Sequence, residues 1–215
     1  MLYMVKKIPT ICFILLFSGK AISQTYNENV KWSLGINYNG GSLRNTNDGK
    51  NKWINKYSAV LATDVSLSKV SYFDSGEFFL QPFVEVSLPV KNPYDSNLQF
   101  ATYGGGVNLK KYISFNYEKS RFYLFAGGQI NYIIWKIAYT NRNQEKQYRN
   151  TNIDYILNLG AGVVITDLVD ILTTYSKGLG KVYFSNDLYS MNTFSSFSIG
   201  LKISFSKNRI FRTGY

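Results

Sequence analysis

The sequence repeats one pattern that narrowly limits its fold, because apolar and polar residues alternate in eight separate runs. A period of two places apolar side chains on one face of a β-strand and polar side chains on the other. No segment shows a sustained helical period. The sequence therefore predicts an all-β fold. The cleanest run has its apolar residues at Ile153, Tyr155, Leu157, Leu159, Ala161, Val163 and Ile165.

Stretches rich in Asn, Gly, Asp and Ser separate the runs, and these connections differ in length. Long and short connections that alternate on an even number of strands are typical of barrels that cross a membrane. The pattern predicts an eight-stranded antiparallel up-and-down transmembrane β-barrel. Pro82 has no N–H group to give to a ladder, so a local bulge is predicted there. The connections predicted to be long are residues 40–55, 140–151 and 177–193, and those predicted to be short are residues 116–120 and Asp167.

The first residues have the three parts of a secretory signal peptide. Lys6 and Lys7 form a basic region, and an apolar run follows at residues 8–17. Small residues then occupy Ala21 and Ser23, two positions apart. The apolar run is shorter than the roughly 20 residues that a membrane-spanning helix needs. A cleaved signal is therefore predicted rather than a membrane anchor.

Cleavage is predicted before Gln24, so that residues 1–23 are removed together with Cys12, the single cysteine of the chain. The mature chain is then predicted to be one barrel over residues 24–215, ending in a short basic tail at residues 206–215. Exported proteins with thin cores often depend on disulfides. Because the mature chain has no cysteine, the pairing of its strands must hold it together instead.

The last predicted strand resembles the β-signal that outer-membrane assembly machinery recognises. That signal has a polar residue, a glycine, an apolar residue and a final aromatic residue, here Ser198, Gly200, Ile203 and Phe205. With the eight runs and the export signal, the chain resembles the small outer-membrane β-barrels of Bacteroidota, of the OmpA/OmpX type. The resemblance implies an outer-membrane location and contacts with membrane lipid, lipopolysaccharide and the barrel-assembly machinery. The tail is too short for a peptidoglycan-binding domain.

Alternation alone leaves open which face lines the barrel. The polar faces of residues 122–135 and 155–166 contain no charged residue, and the whole chain is only 17% charged against about 25% in ordinary soluble domains. Aromatic residues also cluster near strand ends, as they do where barrels meet lipid headgroups. These features favour an apolar face turned to lipid. The alternative is a soluble periplasmic lipocalin-like barrel that binds a ligand against an apolar interior.

The residue types present exclude much of catalysis and metal binding. The chain has no histidine, which is the usual general base and the commonest transition-metal ligand. No catalytic residue, cofactor or metal site is predicted. Charged residues on the predicted lumen faces are instead expected to pair with one another, because buried charges need partners. These residues are Lys31, Asp64, Glu85, Asp154, Asp170 and Lys202.

The predicted function is therefore non-enzymatic. A structural or surface-interaction role through the external connections is expected, with an unidentified surface or secretion partner. A narrow channel or small-molecule carrier is the alternative within the membrane. Nucleic acid is not an expected partner, because the basic residues are scattered. Basic residues expected near lipopolysaccharide phosphates are Arg44, Lys50, Lys52, Arg142, Lys146 and Arg149.

Overall fold

The computed structural model describes nine ranges of the chain, which are residues 30–45, 50–67, 78–93, 98–114, 121–137, 151–166, 168–179, 181–183 and 190–205. The predicted signal peptide and basic tail lie outside them. Within these ranges the strands are β1 (Val30–Asn45), β2 (Asn51–Ser66), β3 (Phe78–Ser87), β4 (Val90–Lys91), β5 (Leu98–Ser114), β6 (Arg121–Ile137), β7 (Thr151–Val164), β8 (Val169–Gly178), β9 (Lys181–Tyr183) and β10 (Ser190–Phe205). No α-helix in the described part of the chain is long and apolar enough to cross a membrane.

The strands form one closed sheet. All pairings are antiparallel, and β1 pairs with both β2 and β10, so the first and last strands complete the ring. The short strands β4 and β9 continue the lines of β3 and β8 beyond a break. The described residues thus form an eight-stranded antiparallel barrel, which confirms the predicted fold class. We call the end that carries Val30 and Phe205 the lower end, and the opposite end the upper end.

The strands are staggered around the ring. A path through registered partners that starts at Val30 returns to β1 at Gly40, ten residues further along. A stagger of this kind tilts the strands, typically by about 35–45° from the barrel axis. Side chains at one height in the lumen therefore come from residues that are not direct ladder partners. The residues on this path are Val65, Leu80, Leu109, Ala126, Leu159, Tyr175 and Phe197.

The barrel has its apolar face outside and its polar face inside. Leu157 and Leu159 are more than half exposed, whereas Asp154 and Asn158 on the same strand are buried. The same division holds on the other long strands. The soluble alternative, with an apolar face lining the interior, is therefore wrong. Outward apolar side chains of the remaining strands include Leu34, Ile36, Leu80, Val86, Val107, Leu109, Leu124, Ile130, Ile171, Ile199, Leu201 and Ile203.

At the upper end, the strands extend beyond their predicted limits. Residues 40–55 were predicted to be a connection, but Gly40 pairs with Asn55 and the ladder continues to Arg44 and Asn51. Likewise, β10 begins at Ser190, inside the predicted connection 177–193. Backbone pairing persists here although outward side chains such as Ser42 and Asn55 are no longer apolar, because main-chain hydrogen bonds do not depend on the polarity of the side chains. Of the other predicted connections, residues 116–120 and Asp167 lie outside the described ranges, and so does 140–151 except for Thr151, which begins β7.

The prediction of a bulge at Pro82 is wrong. The bulge of this strand lies at Pro89 instead. Pro82 pairs with Val107 without any change of register, and only its pairing with β2 is missing. Val86 pairs with Tyr103, whereas Val90 pairs with Phe100, so three residues of one strand oppose two of the other. This extra residue separates β3 from β4. Pro82 is tolerated in register because its missing donor interrupts only one of its two ladders.

Small residues make room for large inward side chains, which predicts a sharp difference between two glycines. A Cβ added to Gly162 would lie 2.2 Å from Cζ of Tyr123, whereas one on Gly128 would come no closer than 3.8 Å to any neighbour. Gly162→Ala should therefore lower the free energy of unfolding by about 1–3 kcal/mol through overpacking. Gly128→Ala is the control and should be neutral or slightly stabilising.

Urea unfolding of the refolded barrel in detergent micelles, followed by tryptophan fluorescence, measures both variants. Equal unfolding free energies for the two would contradict this account of the packing between β6 and β7.

Candidate functional site

The lower lumen is organised around one buried ion pair. Nζ of Lys110 on β5 lies 2.9 Å from Oδ2 of Asp64 on β2, and the two side chains are only 1% and 5% exposed. The amide of Gln81, on the strand between them, donates a second hydrogen bond to Asp64. Burying a carboxylate costs free energy that a paired charge and hydrogen bonds to its oxygens offset. Here, both are present across three neighbouring strands.

Aromatic rings enclose the same lysine. Nζ of Lys110 lies 3.8 Å from the ring centroid of Tyr123 and 4.5 Å from that of Tyr112. A cation over the face of an aromatic ring is attracted by its quadrupole, and more strongly where water is excluded. The rings pack with Phe125, Val164 and Leu172 into an apolar cluster inside the lumen. This layer joins side chains of β5, β6, β7 and β8 across the lower lumen.

Further charges surround this pair in the same layer. Asp170 and Lys202 oppose each other across the ladder between β8 and β10, and both are buried. Lys31 opposes Asp64 across the ladder between β1 and β2. Neither carboxylate oxygen of Asp170 has a hydrogen-bond partner in the described structure, nor does the hydroxyl of Tyr123. The lower layer thus holds three lysines and two aspartates.

A chain of hydrogen bonds crosses the upper lumen. Glu85 is at its centre, because one of its oxygens accepts from Ser58 at 2.6 Å and the other from Gln129 at 2.8 Å. Neutral amide and hydroxyl groups continue the chain to both sides. The network links six strands and gives a carboxylate partners without a direct ion pair. Its members are Asn39, Ser58, Glu85, Gln129, Asn158 and Ser176.

A small polar cavity of about 50 Å³ lies between these two layers. Residues of all eight long strands line it, among them Gly35, Asn37, Asn108 and Thr174. A cavity needs roughly 10–15 Å³ of such volume for each water molecule, so this one holds a few waters. It is too small for an organic solute of ordinary size.

Above the hydrogen-bonded network, apolar side chains again face inward. Leu43, Ile54, Phe100 and Ile133 are all buried at inward positions near the upper ends of their strands. Below them, Nζ of Lys56 donates to Oγ1 of Thr102 at 3.2 Å. Apolar or aromatic side chains therefore lie in the lumen both above and below the polar network.

The structure separates the six charged residues predicted to lie in the lumen into two groups. Lys31, Asp64, Asp170 and Lys202 lie in the lower layer, whereas Glu85 and Asp154 lie in the upper lumen. The polar cavity lies between the two groups, and Glu85 and Lys202 both line it.

Sequence reasoning missed Lys110, the direct partner of Asp64, and Lys56 in the upper lumen. Lys110 lies two residues beyond Asn108, and Lys56 lies two residues before Ser58. Each continues the polar face of a predicted strand by one step. Extending the alternation to those positions would have found both lysines, but it would not have shown which carboxylate each one faces.

The four residues that resemble an assembly signal lie along β10. Ser198 is buried and faces the cavity, while Ile203 and Phe205 are exposed on the outer face. A Cβ on Gly200 would lie 2.1 Å from Oδ1 of Asn37, so a larger residue there would require the Asn37 side chain to move. Within the described ranges, no three Asp, Glu or Cys residues come together as metal ligands.

No protein-family model matches the chain, and no curated protein matches it. Among solved structures, Neisserial surface protein A (NspA) is 13% identical with a TM-score of 0.49, over 81% of this chain and 97% of NspA. Ail of Yersinia pestis, in complex with the heparin analogue sucrose octasulfate, is 13% identical with a TM-score of 0.45, over 82% and 99%. OprG of Pseudomonas aeruginosa is 12% identical with a TM-score of 0.41, over 83% and 96%.

The buried ion pair predicts a strongly unequal mutant series. Asp64→Asn leaves the charge of Lys110 buried without its partner and should lower the free energy of unfolding by about 3–5 kcal/mol. The double variant Asp64→Asn with Lys110→Met removes both charges and should recover most of that loss. The matched control is Lys111→Met, which removes the adjacent exposed lysine and should cost at most about 1 kcal/mol.

Equilibrium unfolding of all four proteins in the same micelles gives the comparison. A loss for Asp64→Asn no larger than that for Lys111→Met would show that the pair does not stabilise the lumen.

Proposed function

We propose that this chain is an integral outer-membrane β-barrel without enzymatic activity, which acts as a scaffold for surface interactions at its upper end. The observation that carries the proposal is the continuous apolar outer surface around a polar interior. Such a surface would be insoluble in water but matches the hydrocarbon of a bilayer. A closed sheet also pairs its own backbone groups, as hydrocarbon requires.

Aromatic side chains at the upper edge of the apolar surface support the proposed membrane insertion. On the upper side, Tyr38 and Tyr57 pair with ring centroids 5.3 Å apart, and Tyr103 opposes Tyr132 on the next hairpin. Their rings are exposed on the outer face, as is that of Tyr155. Tyrosine in this position resembles the aromatic girdle at the headgroup level of membrane barrels. We refer to this ring of residues as the tyrosine girdle.

The height of the apolar surface also fits a bilayer. On β7, outward apolar residues continue from Tyr155 to Ile165 at the lower turn. Ten residues at a rise of about 3.3 Å, tilted by about 40°, span about 25 Å. That is close to the height of the apolar band of outer-membrane barrels. On the lower side, Trp32 pairs with Phe205 near the edge of this band.

Several sequence features support the outer membrane as the location. They are the predicted signal peptide at residues 1–23, the assembly signal from Ser198 to Phe205, and the resemblance to the small barrels of Bacteroidota. In this orientation, both ends of the barrel sequence are periplasmic and the upper end faces outward. Lipid, lipopolysaccharide and the barrel-assembly machinery are then the expected partners.

The filled lumen favours the scaffold over the channel. The lower layer is closed by Lys110 and its aromatic rings, and the cavity above it holds only a few waters. A solute would have to displace a buried ion pair to pass. The carboxylates that could serve in acid–base chemistry, such as Asp64 and Glu85, are held by hydrogen bonds within this filling.

Membrane insertion predicts a depth-dependent cost for charge on the outer face. Leu159→Lys places a lysine near the middle of the apolar band and should cost about 2–4 kcal/mol on folding into vesicles. Leu179→Lys, above the tyrosine girdle, is the control and should cost about 0–1 kcal/mol. Urea titration of folding into phospholipid vesicles measures both.

The native protein should also resist carbonate extraction and shift its gel mobility on heating. Release by carbonate, together with equal costs for the two lysine variants, would overturn the membrane assignment.

Closure of the lumen predicts that the wild-type barrel does not conduct ions steadily in planar bilayers. The double variant Tyr123→Ala with Phe125→Ala removes two rings of the lower layer and should give discrete openings, because the wall spacing itself is unchanged. Steady openings of the wild-type protein at the same level as the variant would favour the channel.

A further inference from the structure

The upper wall of the barrel is divided where β3 gives way to β4. In the described structure, β4 pairs with β5 and has no ladder to β2. The last main-chain contact between the two sides is a hydrogen bond of 2.9 Å from N–H of Leu88 to the carbonyl of Tyr57. Above this point, no ladder joins residues 51–56 of β2 to a described strand on this side. We refer to this break in the wall as the seam.

The direction of that last hydrogen bond shows which groups face the seam. In an antiparallel strand, the N–H and C=O of one residue point to the same side, and successive residues alternate sides. Because Tyr57 points toward β3, Asn55, Trp53 and Asn51 point toward the seam. Ile54 and Lys56 point toward β1. The upper edge of β2 thus presents the main-chain N–H and C=O groups of up to three residues.

The two sides of the seam differ in their capacity to accept another strand. The β4 side is only two residues long, follows a bulge and is flanked by Pro89 and Pro93. Short strands, bulges and prolines are the usual means by which proteins block edge pairing. The β2 side has no proline over residues 51–56 and remains paired with β1 throughout. An added strand would therefore bind to β2.

The side chains at the seam indicate the chemistry of a partner. Trp53 is 64% exposed, and its ring lies beside Gly40, where an added Cβ would come within 2.6 Å of the ring. Lys50, Lys52 and Lys91 are exposed around the seam, and Nζ of Lys52 reaches across it to the carbonyl of Pro93 at 2.9 Å. The described residues on both sides of the seam, 50–56 and 88–93, include no carboxylate.

We propose that the upper edge of β2 binds an acidic, extended peptide segment of another protein by β-strand addition. Main-chain hydrogen bonds to Asn51, Trp53 and Asn55 would give affinity, and the surrounding lysines would select acidic side chains. The exposed ring of Trp53 would cover one apolar side chain of the segment. This inference rests on the proposed function only for the outward orientation of the upper end.

Amide hydrogen exchange of the refolded barrel in zwitterionic micelles tests the open edge directly. The amides of Trp53 and Asn55 should exchange fast, while those of Ile54 and Lys56 should be protected by β1. Equal protection of all four amides would overturn the proposal, because no free edge would then exist.

Peptide binding tests whether an acidic, extended segment binds at the seam. The probe is a labelled ten-residue peptide of alternating Glu and Val, with two matched controls: the same peptide N-methylated at alternate residues, and a Lys–Val peptide. The Glu–Val peptide should bind and should slow exchange at Trp53 and Asn55, and the controls should bind at least about tenfold more weakly because hydrogen bonds or charge attraction are lost. Equal binding of the N-methylated peptide would overturn strand addition.

Variants at Asn55 separate the contribution of its main-chain N–H to peptide binding from that of its side chain. Asn55→Pro removes an N–H that faces the seam and should weaken binding of the Glu–Val peptide about tenfold, whereas Asn55→Thr keeps that N–H and should bind within about twofold of wild type. Heat-dependent gel mobility verifies that each variant folds. Because this assay reports the barrel itself, failure of the membrane assignment is distinguished from failure of peptide binding. Equal weakening by both substitutions would contradict a main-chain site.

Discussion

Every other property of this barrel depends on the ladder between β1 and β10. It joins Trp32 to Phe205 at the lower end and continues to Gly41 and Ser196 without a change of register. Without it, the sheet would have two long edges whose N–H and C=O groups have no partner. In hydrocarbon, each such group costs several kcal/mol, so an open sheet could not turn an apolar face to lipid. Closure is what allows apolar residues outside and polar residues inside.

This arrangement is the reverse of that in a soluble protein, and it changes which interactions hold the interior together. The wall encloses a lumen that a conventional apolar core cannot fill, because most inward residues are polar. Hydrogen bonds around Glu85, the Asp64–Lys110 pair and a few aromatic rings fill it instead. Glycines such as Gly162 admit the largest of these rings. Side chains thus fill much of the lumen, and its charges are held by one another and by neutral polar groups.

The sequence predicts the barrel well because the apolar band needs strict alternation. Residues such as Leu157 and Leu159 face outward and their neighbours face the lumen, so the proposed membrane insertion would enforce the period of two over the height of the apolar band. Above the tyrosine girdle this requirement disappears. The sequence around Gly40 and Asn55 therefore lacks the alternation that would have predicted their pairing.

Other features depend on geometry that a single strand does not encode. Whether a proline causes a bulge depends on its neighbours: Pro82 keeps its register with Val107, whereas Pro89 lies where the register changes. The partner of Asp64 lies 46 residues away because the stagger of the barrel brings β5 within reach of β2. The pair can form only after several strands have docked. Lys110 gains its carboxylate and its aromatic neighbours only when β2 through β6 have docked, so a wall that lacks one of these strands carries an uncompensated charge in its interior.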